Sequence, residues 1–436
     1  MIDRTDMDMT INRKRLAILA ACTCLLLPVS AQQQTYTLQQ CLDEAMANNV
    51  RMKTAANELS AARHTQQEAF TNYFPTVSAT GSGYMADEHL VSASLGPGMD
   101  MAMLKNGVVG GVTAAMPLFT GGQIVNGNKL SKVGVEVSRL KMGVTENEVK
   151  LTTQRYYWQT VMLKEKLKTI DQVQKQLEKL VDDVQASVDA GVATRNDLLQ
   201  VQLKQNEMRS NRISVENLLS VSVSLLAQYI GHAGDSIDIS YALDSIAPQH
   251  PAELYRLPEA ALPITNEHRL LTANVRAAKL QQQLAVGKCL PTVALGGGYV
   301  YDNLMDKDQS FWIGFATVSV PLTKWWGGSH DIKKQKLQVA NARYELQDKS
   351  ELLMINMQNT WNQLNDAWQQ VGIAQLSITQ AAENLRLNTD YYTAGTCTMS
   401  DLLEAQTLYR QSRDQYIEAY ADYELKKCEY LQVTGR

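Results

Sequence analysis

Gly191-Val192-Ala193-Thr194-Arg195-Asn196-Asp197-Leu198-Leu199-Gln200-Val201-Gln202 is a stretch that the chain repeats, with substitutions, as Gly395-Thr396-Cys397-Thr398-Met399-Ser400-Asp401-Leu402-Leu403-Glu404-Ala405-Gln406. Pro117-Leu118 returns as Pro321-Leu322 at the same spacing of 204 positions. Phe74-Pro75-Thr76-Val77 returns as Leu290-Pro291-Thr292-Val293 at a spacing of 216 positions. A repeat of this length indicates two copies of one structural unit. Each copy reads helix, strand, loop, strand, very long helix, tight turn and helix.

The repeat divides the chain into four predicted segments. They are a signal peptide (1–31), a first structural repeat (32–235), a connector (236–263) and a second structural repeat (264–436). The connector holds four of the 10 prolines of the chain, which favours irregular backbone there.

The N-terminus has the three parts of a secretory signal peptide. Asn12-Arg13-Lys14-Arg15 is basic, residues 16–29 are apolar, and small residues precede a predicted cut before Gln32. Leu19-Ala20-Ala21-Cys22 resembles a lipoprotein cleavage site, so lipidation of Cys22 stays open as the alternative. No run of about 20 apolar residues follows residue 31, so we expect no transmembrane helix and a membrane crossing built from β-strands.

The composition argues against several classes of protein. A net charge of −4 and the lack of a long basic stripe beyond the N-terminus argue against a nucleic-acid partner. The histidines are scattered, and neither a phosphate loop nor a catalytic triad pattern is present, so we expect no enzyme, no cofactor and no metal. The cysteines lack CxxC spacing. We favour free buried thiols, although a disulfide such as Cys41–Cys428 stays open.

Four segments have the period-two alternation of strands: 76–91, 106–119, 292–302 and 311–324. Alternating segments of about ten residues are typical of outer-membrane barrel strands. Aromatic residues cluster at both ends of these segments, as expected for the two membrane interfaces. The aromatic residues are Tyr73, Phe74, Phe119, Trp325 and Trp326 at one end, and Tyr299, Tyr301, Phe311 and Trp312 at the other.

Two segments without proline, 123–190 and 329–394, predict very long helices. An unbroken helix over the first of them would reach about 100 Å at 1.5 Å per residue. Apolar residues recur at steps of three and four, as in a coiled coil. Gly191 and Gly395 suit the left-handed position after a helix, and return helices are predicted over 197–230 and 401–433. Each copy therefore contains a long helical hairpin.

Four strands in one chain cannot close a membrane barrel, because known barrels start at eight strands. Unpaired strand edges in lipid would cost several kcal/mol for each open backbone group. The strands must therefore be shared between chains, with two chains giving eight strands and three giving twelve. The sequence thus predicts an α+β membrane protein that oligomerises into a barrel continued by a tube of helices.

The chain resembles the TolC-like outer-membrane efflux proteins along nearly all of its mature length. The resemblance rests on residues 38–45 with Asn48-Asn49, on Phe74-Pro75-Thr76-Val77, on residues 117–122, and on the paired Gly-x5-Asp-Leu-Leu turns. It implies a homotrimer with a 12-stranded barrel in the outer membrane of a Gram-negative bacterium and a coiled-coil tunnel in the periplasm. It also implies contacts with outer-membrane lipid, a periplasmic adaptor protein and an inner-membrane transporter.

The resemblance also implies roles for residues at the hairpin turns. Asp401 and Glu404 match acidic positions that line the pore constriction, and Tyr392 matches a tyrosine that helps to latch the closed tip. Asp197 is a second latch candidate. The tip turns at Gly191, Val192, Gly395 and Thr396 would dock the adaptor. Cys397 departs from the pattern, because the member of that family used for comparison has an arginine at the matching position. Thr194 and Thr398 with the aspartates three residues later also read as helix capping boxes. Capping is the role we favour for Asp197, and it is the structural alternative for Asp401 and Glu404.

The function expected from these features is that of an outer-membrane exit duct of a tripartite efflux pump. A channel of a type I protein secretion system is the alternative within the same class. A surface coiled-coil adhesin or structural rod is the alternative from another class. The second pair of strands halfway along the chain argues against an adhesin, which has no need of it.

Overall fold

The computed structural model describes residues 34–436 apart from 89–90, 95–99, 104–105, 243–247, 249 and 304–307. The predicted signal peptide, with Cys22, lies outside the described residues. The main helices are α1 (Leu38–Asn48), α2 (Val50–Thr71), α3 (Gln123–Asp189), α4 (Arg195–Ile230), α5 (Asn266–Gly287), α6 (Lys324–Thr393) and α7 (Met399–Val433). The strands are β1 (Gln34–Tyr36), β2 (Thr76–Met85), β3 (Val91–Ser94), β4 (Asp100–Met103), β5 (Asn106–Phe119), β6 (Ile237–Ile239), β7 (Thr292–Asp302) and β8 (Gln309–Ser319).

The two longest helices, α3 and α6, have 67 and 70 residues and reach about 100 Å each. Helix α3 packs along α4, and α6 packs along α7, so each repeat forms a hairpin. The seam of the first hairpin buries Val173, Leu177 and Val184 of α3 against Leu198 and Val201 of α4. This spacing of four and seven places the buried residues on one stripe of the helix, as the sequence predicts.

The single helix expected at the start of the first repeat is in fact two helices, α1 and α2, separated at Asn49. The Asn49 side chain accepts a hydrogen bond from the backbone of Arg51 at 2.8 Å, and its amide nitrogen donates to the Tyr229 carbonyl at 2.8 Å. Helix α2 therefore begins where α4 ends. In the second repeat Gly435, just after α7, lies against Ile264 and Thr265 at the start of α5. Each long helix is thus flanked by two shorter helices stacked end to end.

Four strands form one antiparallel sheet in the order β2-β5-β7-β8, which confirms the four predicted strands. Strand β2 ends at Met85 and not at residue 91, because its partner β5 begins opposite it at Asn106. Strand β8 ends at Ser319 and not at residue 324, because Pro321 lacks the N–H group that a longer ladder needs. Within the described residues, β2 and β8 each have one unpaired edge.

The register separates the two faces of this sheet. Val112, Leu295, Tyr299 and Trp312 share one face and are exposed. The opposite face carries Thr113 and the buried Gly298, and its residues are less exposed. One face of the sheet is therefore apolar and exposed, and the other face is more covered. This matches the alternation expected of barrel strands.

The main buried core lies at mid-height, where the helix ends, the short parallel pair β1–β6 and the connector meet. Cys41 is fully buried there, and burial raises the pKa of its thiol to about 12. Cys41, Cys289, Cys397 and Cys428 are all free, so the Cys41–Cys428 disulfide does not form. The prediction of free thiols is confirmed for these four cysteines.

The expectation that no helix could cross a membrane needs a correction. By length and composition, α4 is apolar enough to do so, and it is the one such helix among the described residues. Its apolar side chains include Leu218, Val221 and Leu225, which are exposed in a single protomer. Helix α4 packs along α3, so these side chains form a lateral surface of the hairpin.

Candidate functional site

The candidate site is the tip where the two hairpins reverse direction. In the first hairpin, Gly191 has a φ of 73°, a left-handed conformation that favours glycine. Its N–H donates to the Val188 carbonyl at 2.9 Å, and the N–H of Val192 donates to the Ser187 carbonyl at 2.8 Å. These two bonds form a Schellman motif, which satisfies the last carbonyls of α3.

The second turn repeats this geometry. Gly395 also has a φ of 73°, its N–H donates to the Tyr392 carbonyl at 3.0 Å, and Thr396 donates to the Tyr391 carbonyl at 2.9 Å. No atom lies within 4 Å of the space that a side chain at either glycine would occupy. The backbone conformation, and not crowding, therefore requires glycine at both turns. Val192 and Thr396 lie at the outermost point of each hairpin.

Asp401 belongs to a helix cap. The Thr398 hydroxyl and backbone N–H donate to Asp401 Oδ2 at 2.6 and 2.9 Å, and the Asp401 N–H donates back to the hydroxyl at 3.3 Å. The hydroxyl first, and then the N–H group, lower the pKa of Asp401 because both donate to the charged carboxylate. The carboxylate is therefore ionised at neutral pH. Its other oxygen is not used by this cap.

Asp197 makes the same capping box with Thr194, with Thr194 donating to Asp197 Oδ2 from its hydroxyl at 2.7 Å and its N–H at 3.0 Å. Tyr392 lies in the seam beneath the second turn, packed against the apolar cluster of the first hairpin. Burial and then the charge of Asp197 raise the pKa of Tyr392. Asp197 and Tyr392 are thus close enough to interact, although they belong to different hairpins.

Cys397 takes up a local role in the turn. Its thiol donates to the Asn388 carbonyl at 3.4 Å, one turn before the end of α6. Burial and then the charge of Asp401 raise the pKa of this thiol. A neutral thiol cannot make the ionic contacts of an arginine, so Cys397 supports the turn in place of bridging to another hairpin.

Glu404 is exposed one helical turn beyond Asp401, on an adjacent face of α7. The two turn regions, 182–200 and 383–404, together contain eight carboxylates and two arginines, a net charge of −6 per protomer. A mouth lined by carboxylates attracts cations and repels anions. The tip region is therefore strongly acidic, and Asp401 and Glu404 contribute two of its carboxylates.

Two features of the structure were not predicted from the sequence. Arg386 binds Glu383 through two nitrogens, at 2.7 and 2.9 Å, and Asp390 through a third at 2.8 Å. Helical spacing of three and four permits such pairs, which is the signal that could have found them. The pairs leave Arg386 engaged along its own helix.

The second unpredicted feature is an apolar stripe on the more covered face of the sheet. Phe311, Ile313 and Phe315 alternate along β8 and face the same side as Gly296 and Gly298 of β7. The Phe315 ring covers Gly296, where a methyl group would collide with it. Both faces of β8 carry apolar residues, so the alternation in the sequence could not show which residues share a face. The strand register of the structure assigns these three residues to the face opposite Trp312.

Among the described residues, no group of three or more His, Cys, Asp or Glu side chains could hold a metal ion. The described residues of the tip carry charges, but no arrangement of nucleophile and base.

In the part of the chain that the structure describes, a sheet with two open edges joins helical hairpins of about 100 Å, the architecture expected of a subunit of a membrane-anchored tube. The sequence profile of the outer membrane efflux protein family matches residues 41–232 and 266–429. The chain therefore belongs to the outer membrane efflux protein family. It is an efflux channel protein of the Gram-negative outer membrane, and it is not an enzyme. The adhesin alternative is wrong.

Solved structures confirm the fold. The chain is similar to VceC of Vibrio cholerae with a TM-score of 0.77 and 13% identity, covering 91% of this chain and 96% of that one. It is similar to the Campylobacter jejuni CmeC channel with a TM-score of 0.78 and 15% identity, covering 91% and 85%. It is similar to the open state of the Neisseria gonorrhoeae MtrE channel with a TM-score of 0.76 and 16% identity, covering 91% of this chain and 88% of that one. No curated protein sequence matches the chain significantly.

Membership of this family supports partners in general, since these proteins are oligomeric channels that act with other components of efflux pumps. The number of copies, the identity of the partners and the roles of the tip residues are proposals, taken up below.

Proposed function

We propose that three copies of the chain form a continuous duct, with a 12-stranded barrel in the outer membrane and a 12-helix tunnel in the periplasm. The duct is the exit of a tripartite pump. Small molecules enter at the hairpin tips from an inner-membrane transporter and a periplasmic adaptor, and leave through the barrel. Asp401 and Glu404 line the constriction, and Asp197 and Tyr392 contribute to holding it closed.

The observation that carries this proposal is that the sheet and the helices both have an open side at each end of the described protomer, where another copy can add. Strands β2 and β8 are unpaired at the two sides of the sheet. The register is related by the repeat: Thr76 pairs with Ala115, and their equivalents Thr292 and Ser319 also pair. The β5–β7 pairing therefore supplies the register for β8 on β2 of the next protomer.

The helices have matching open sides. Val133 and Leu140 of α3 pack against α5 and are 9% and 5% exposed. Their equivalents on α6, Leu337 and Tyr344, are 66% and 70% exposed. Helix α2, the equivalent of α5, lies on the opposite side of the protomer. Association of α6 with α2 of the next protomer would bury Leu337 and Tyr344 as their equivalents are buried.

The copy number and register can be tested together. In the β5–β7 pair Thr113 lies opposite Gly298, and the equivalent positions are Thr317 of one protomer and Ser82 of the next. Directly opposed strand residues have Cα atoms about 4.5–5.5 Å apart, which permits a disulfide. We expect Ser82→Cys with Thr317→Cys to give covalent dimers and trimers under oxidation. Ser82→Cys with Phe315→Cys, two residues out of register, is the control.

Mass measurement of the detergent-extracted protein completes this test. We expect a trimer, and a stable monomer with intact strands would refute the duct. Docking is tested by cysteines at Val192 and Thr396, which should crosslink to an adaptor, while a cysteine at Glu88 in the barrel loop should not. The reverse pattern would invert the proposed orientation.

A further inference from the structure

Helices α3 and α7 contact each other in the half of the protomer nearer the hairpin turns, through a series of polar contacts that we call the ladder. Arg413 donates to Gln172 at 2.9 Å, and Lys166 pairs with Glu418 further up. Closest to the tip, Gln406 Nε2 donates to Gln176 Oε1 at 3.3 Å. Gln406 is buried, so its amide depends on this contact in place of water.

Most of this ladder has no equivalent in the other half of the repeat. Shifting Lys166 and Glu418 by 204 positions gives Gln370 and Ser214. Shifting Gln172 and Arg413 gives Leu376 and Arg209. Neither of these pairs reproduces the contact from which it derives.

The glutamine pair is the exception. Shifting Gln176 and Gln406 gives Gln380 on α6 and Gln202 on α4. These lie on opposite sides of one protomer, on the surfaces that the proposed trimer brings together. In the single protomer Gln380 is exposed and Gln202 is half-buried. Each is thus placed to meet its counterpart on another protomer.

We infer that Gln380 of one protomer pairs with Gln202 of the next, repeating the Gln176–Gln406 contact between chains. This inference rests on the proposed trimer. The tunnel wall would then contain six such amide pairs, three within protomers and three between them, at one height. Gln202 and Gln406 lie 11 residues, and Gln176 and Gln380 lie 15 residues, from the glycine of their own turns. The layer therefore lies about 20 Å above the tip.

The physical role of such a layer is to fix register. Apolar seams tolerate sliding by a helical turn, because one leucine replaces another at little cost. An amide pair does not, because sliding leaves the buried amide of the pair, Gln406 within a protomer, without its partner. The same pair at both kinds of seam gives hairpins one common register, whether their neighbour belongs to the same chain or to another.

Crosslinking tests the pair directly. The half-buried thiols of Cys289 and Cys397 are first removed by Cys289→Ser and Cys397→Ser. Burial raises the pKa values of Cys41 and Cys428 to about 12 and about 11 and keeps these thiols unreactive. We expect Gln202→Cys with Gln380→Cys, treated with a short bismaleimide, to give covalent dimers and trimers as the major species. Gln176→Cys with Gln406→Cys should give only an internally linked monomer. Gln202→Cys with Asn384→Cys, one turn out of register, is the mismatched control.

Two outcomes separate this inference from the proposed trimer. If the uncrosslinked protein is a trimer and the mismatched pair links as well as the matched pair, the layer does not exist. If the protein is monomeric, the proposed function fails first. As a second measurement, Gln380→Leu should lower the temperature at which the trimer dissociates, and adding Gln202→Leu should restore it. Additive losses would overturn the pairing.

Discussion

At the scale of single residues, the paired carboxylates of the tip are the most direct test of the proposed gate. Asp401→Asn with Glu404→Gln removes two carboxylates from each protomer, and so up to six negative charges from the proposed trimer. In planar bilayers we expect weaker cation preference and weaker block by multivalent cations. Asp197→Asn, which changes the equivalent cap of the first hairpin, is the matched control and should change selectivity less.

The same substitutions show whether the two carboxylates act in the pore or only in capping helix α7. Asparagine at position 401 can still accept from the Thr398 N–H, so the loss of helix stability should not exceed the roughly 1 kcal/mol typical of a lost cap. Unaltered selectivity together with a larger loss of thermal stability would show that the carboxylates are structural only.

The cap of Asp401 also predicts a pH dependence. Its pKa is lower in the folded protein than the ordinary value of 3.8, because Thr398 donates to the charged form. The stabilisation is therefore complete above pH 3.8 and is lost as the pH falls through the lower folded pKa. Thermal melts of the wild type and of Asp401→Asn should be furthest apart near neutral pH and converge in strong acid. Curves that stay parallel down to the acid limit would contradict the cap.

At the scale of elements, the two hairpins differ in their seams. Val173, Leu177 and Val184 are buried in the first hairpin, and their equivalents in the second are Ser377, Ala381 and Asn388. Small and polar residues bury less apolar surface, at about 25 cal/mol for each Å². Hydrogen exchange should therefore be faster over 377–392 than over 173–188. Equal rates would mean that the seam composition does not control opening.

Leu177→Ala sharpens this comparison, because it gives the first hairpin the alanine that the second has at 381. Large-to-small changes at buried leucines cost about 2–5 kcal/mol. We expect exchange over 173–188 to rise towards that of 377–392, while exchange around the buried Leu364 stays slow.

Glycines in the sheet give a second prediction for an element. A methyl group at Gly298 would collide with the Val112 carbonyl of the neighbouring strand, whereas at Gly314 no atom lies within 4 Å. Gly298→Ala should therefore block assembly of the barrel, and Gly314→Ala should not. Heat-resistant oligomers on gels would report both variants. Normal assembly of Gly298→Ala would show that β5 and β7 are further apart than the register indicates.

Much of the architecture could be read from the sequence, because it depends on long-range patterns. The absence of proline over 123–190 and the repeated glycine turns were enough to predict the hairpins. The break at Asn49 was missed, because the pattern around it is continuous and the break comes from a side chain that caps α2 and holds the end of α4. The strands β1 and β6 have only three residues each, too few for a periodic signal.

The candidate site was predictable in part. The capping boxes are local, so spacing alone located them at Thr194 and Thr398. The proximity of Asp197 and Tyr392 and the thiol contact of Cys397 join residues whose positions depend on tertiary packing. No spacing rule announces such contacts. The electrostatics of the tip follows from counting charges, once the turns are known to lie together.

At the scale of the whole molecule, the start of the mature chain is a prediction that the sequence makes alone. The apolar run continues through Val29, so signal peptidase should cut before Gln32 and leave no lipid. Mass analysis of the N-terminal peptide should find Gln32. A diacylated Cys22 would show instead that the lipoprotein site is used.

The duplication has a consequence for how the tube evolved. A half-length ancestor would build the same wall from six identical subunits, and every hairpin would then carry the same seam. Fusion of two copies into one gene lets the halves mutate separately, so that a leucine at 177 can coexist with an alanine at 381. Neighbouring hairpins around the tube can thereby differ in the stability of their seams, whereas hairpins encoded by one half-length gene would all be identical.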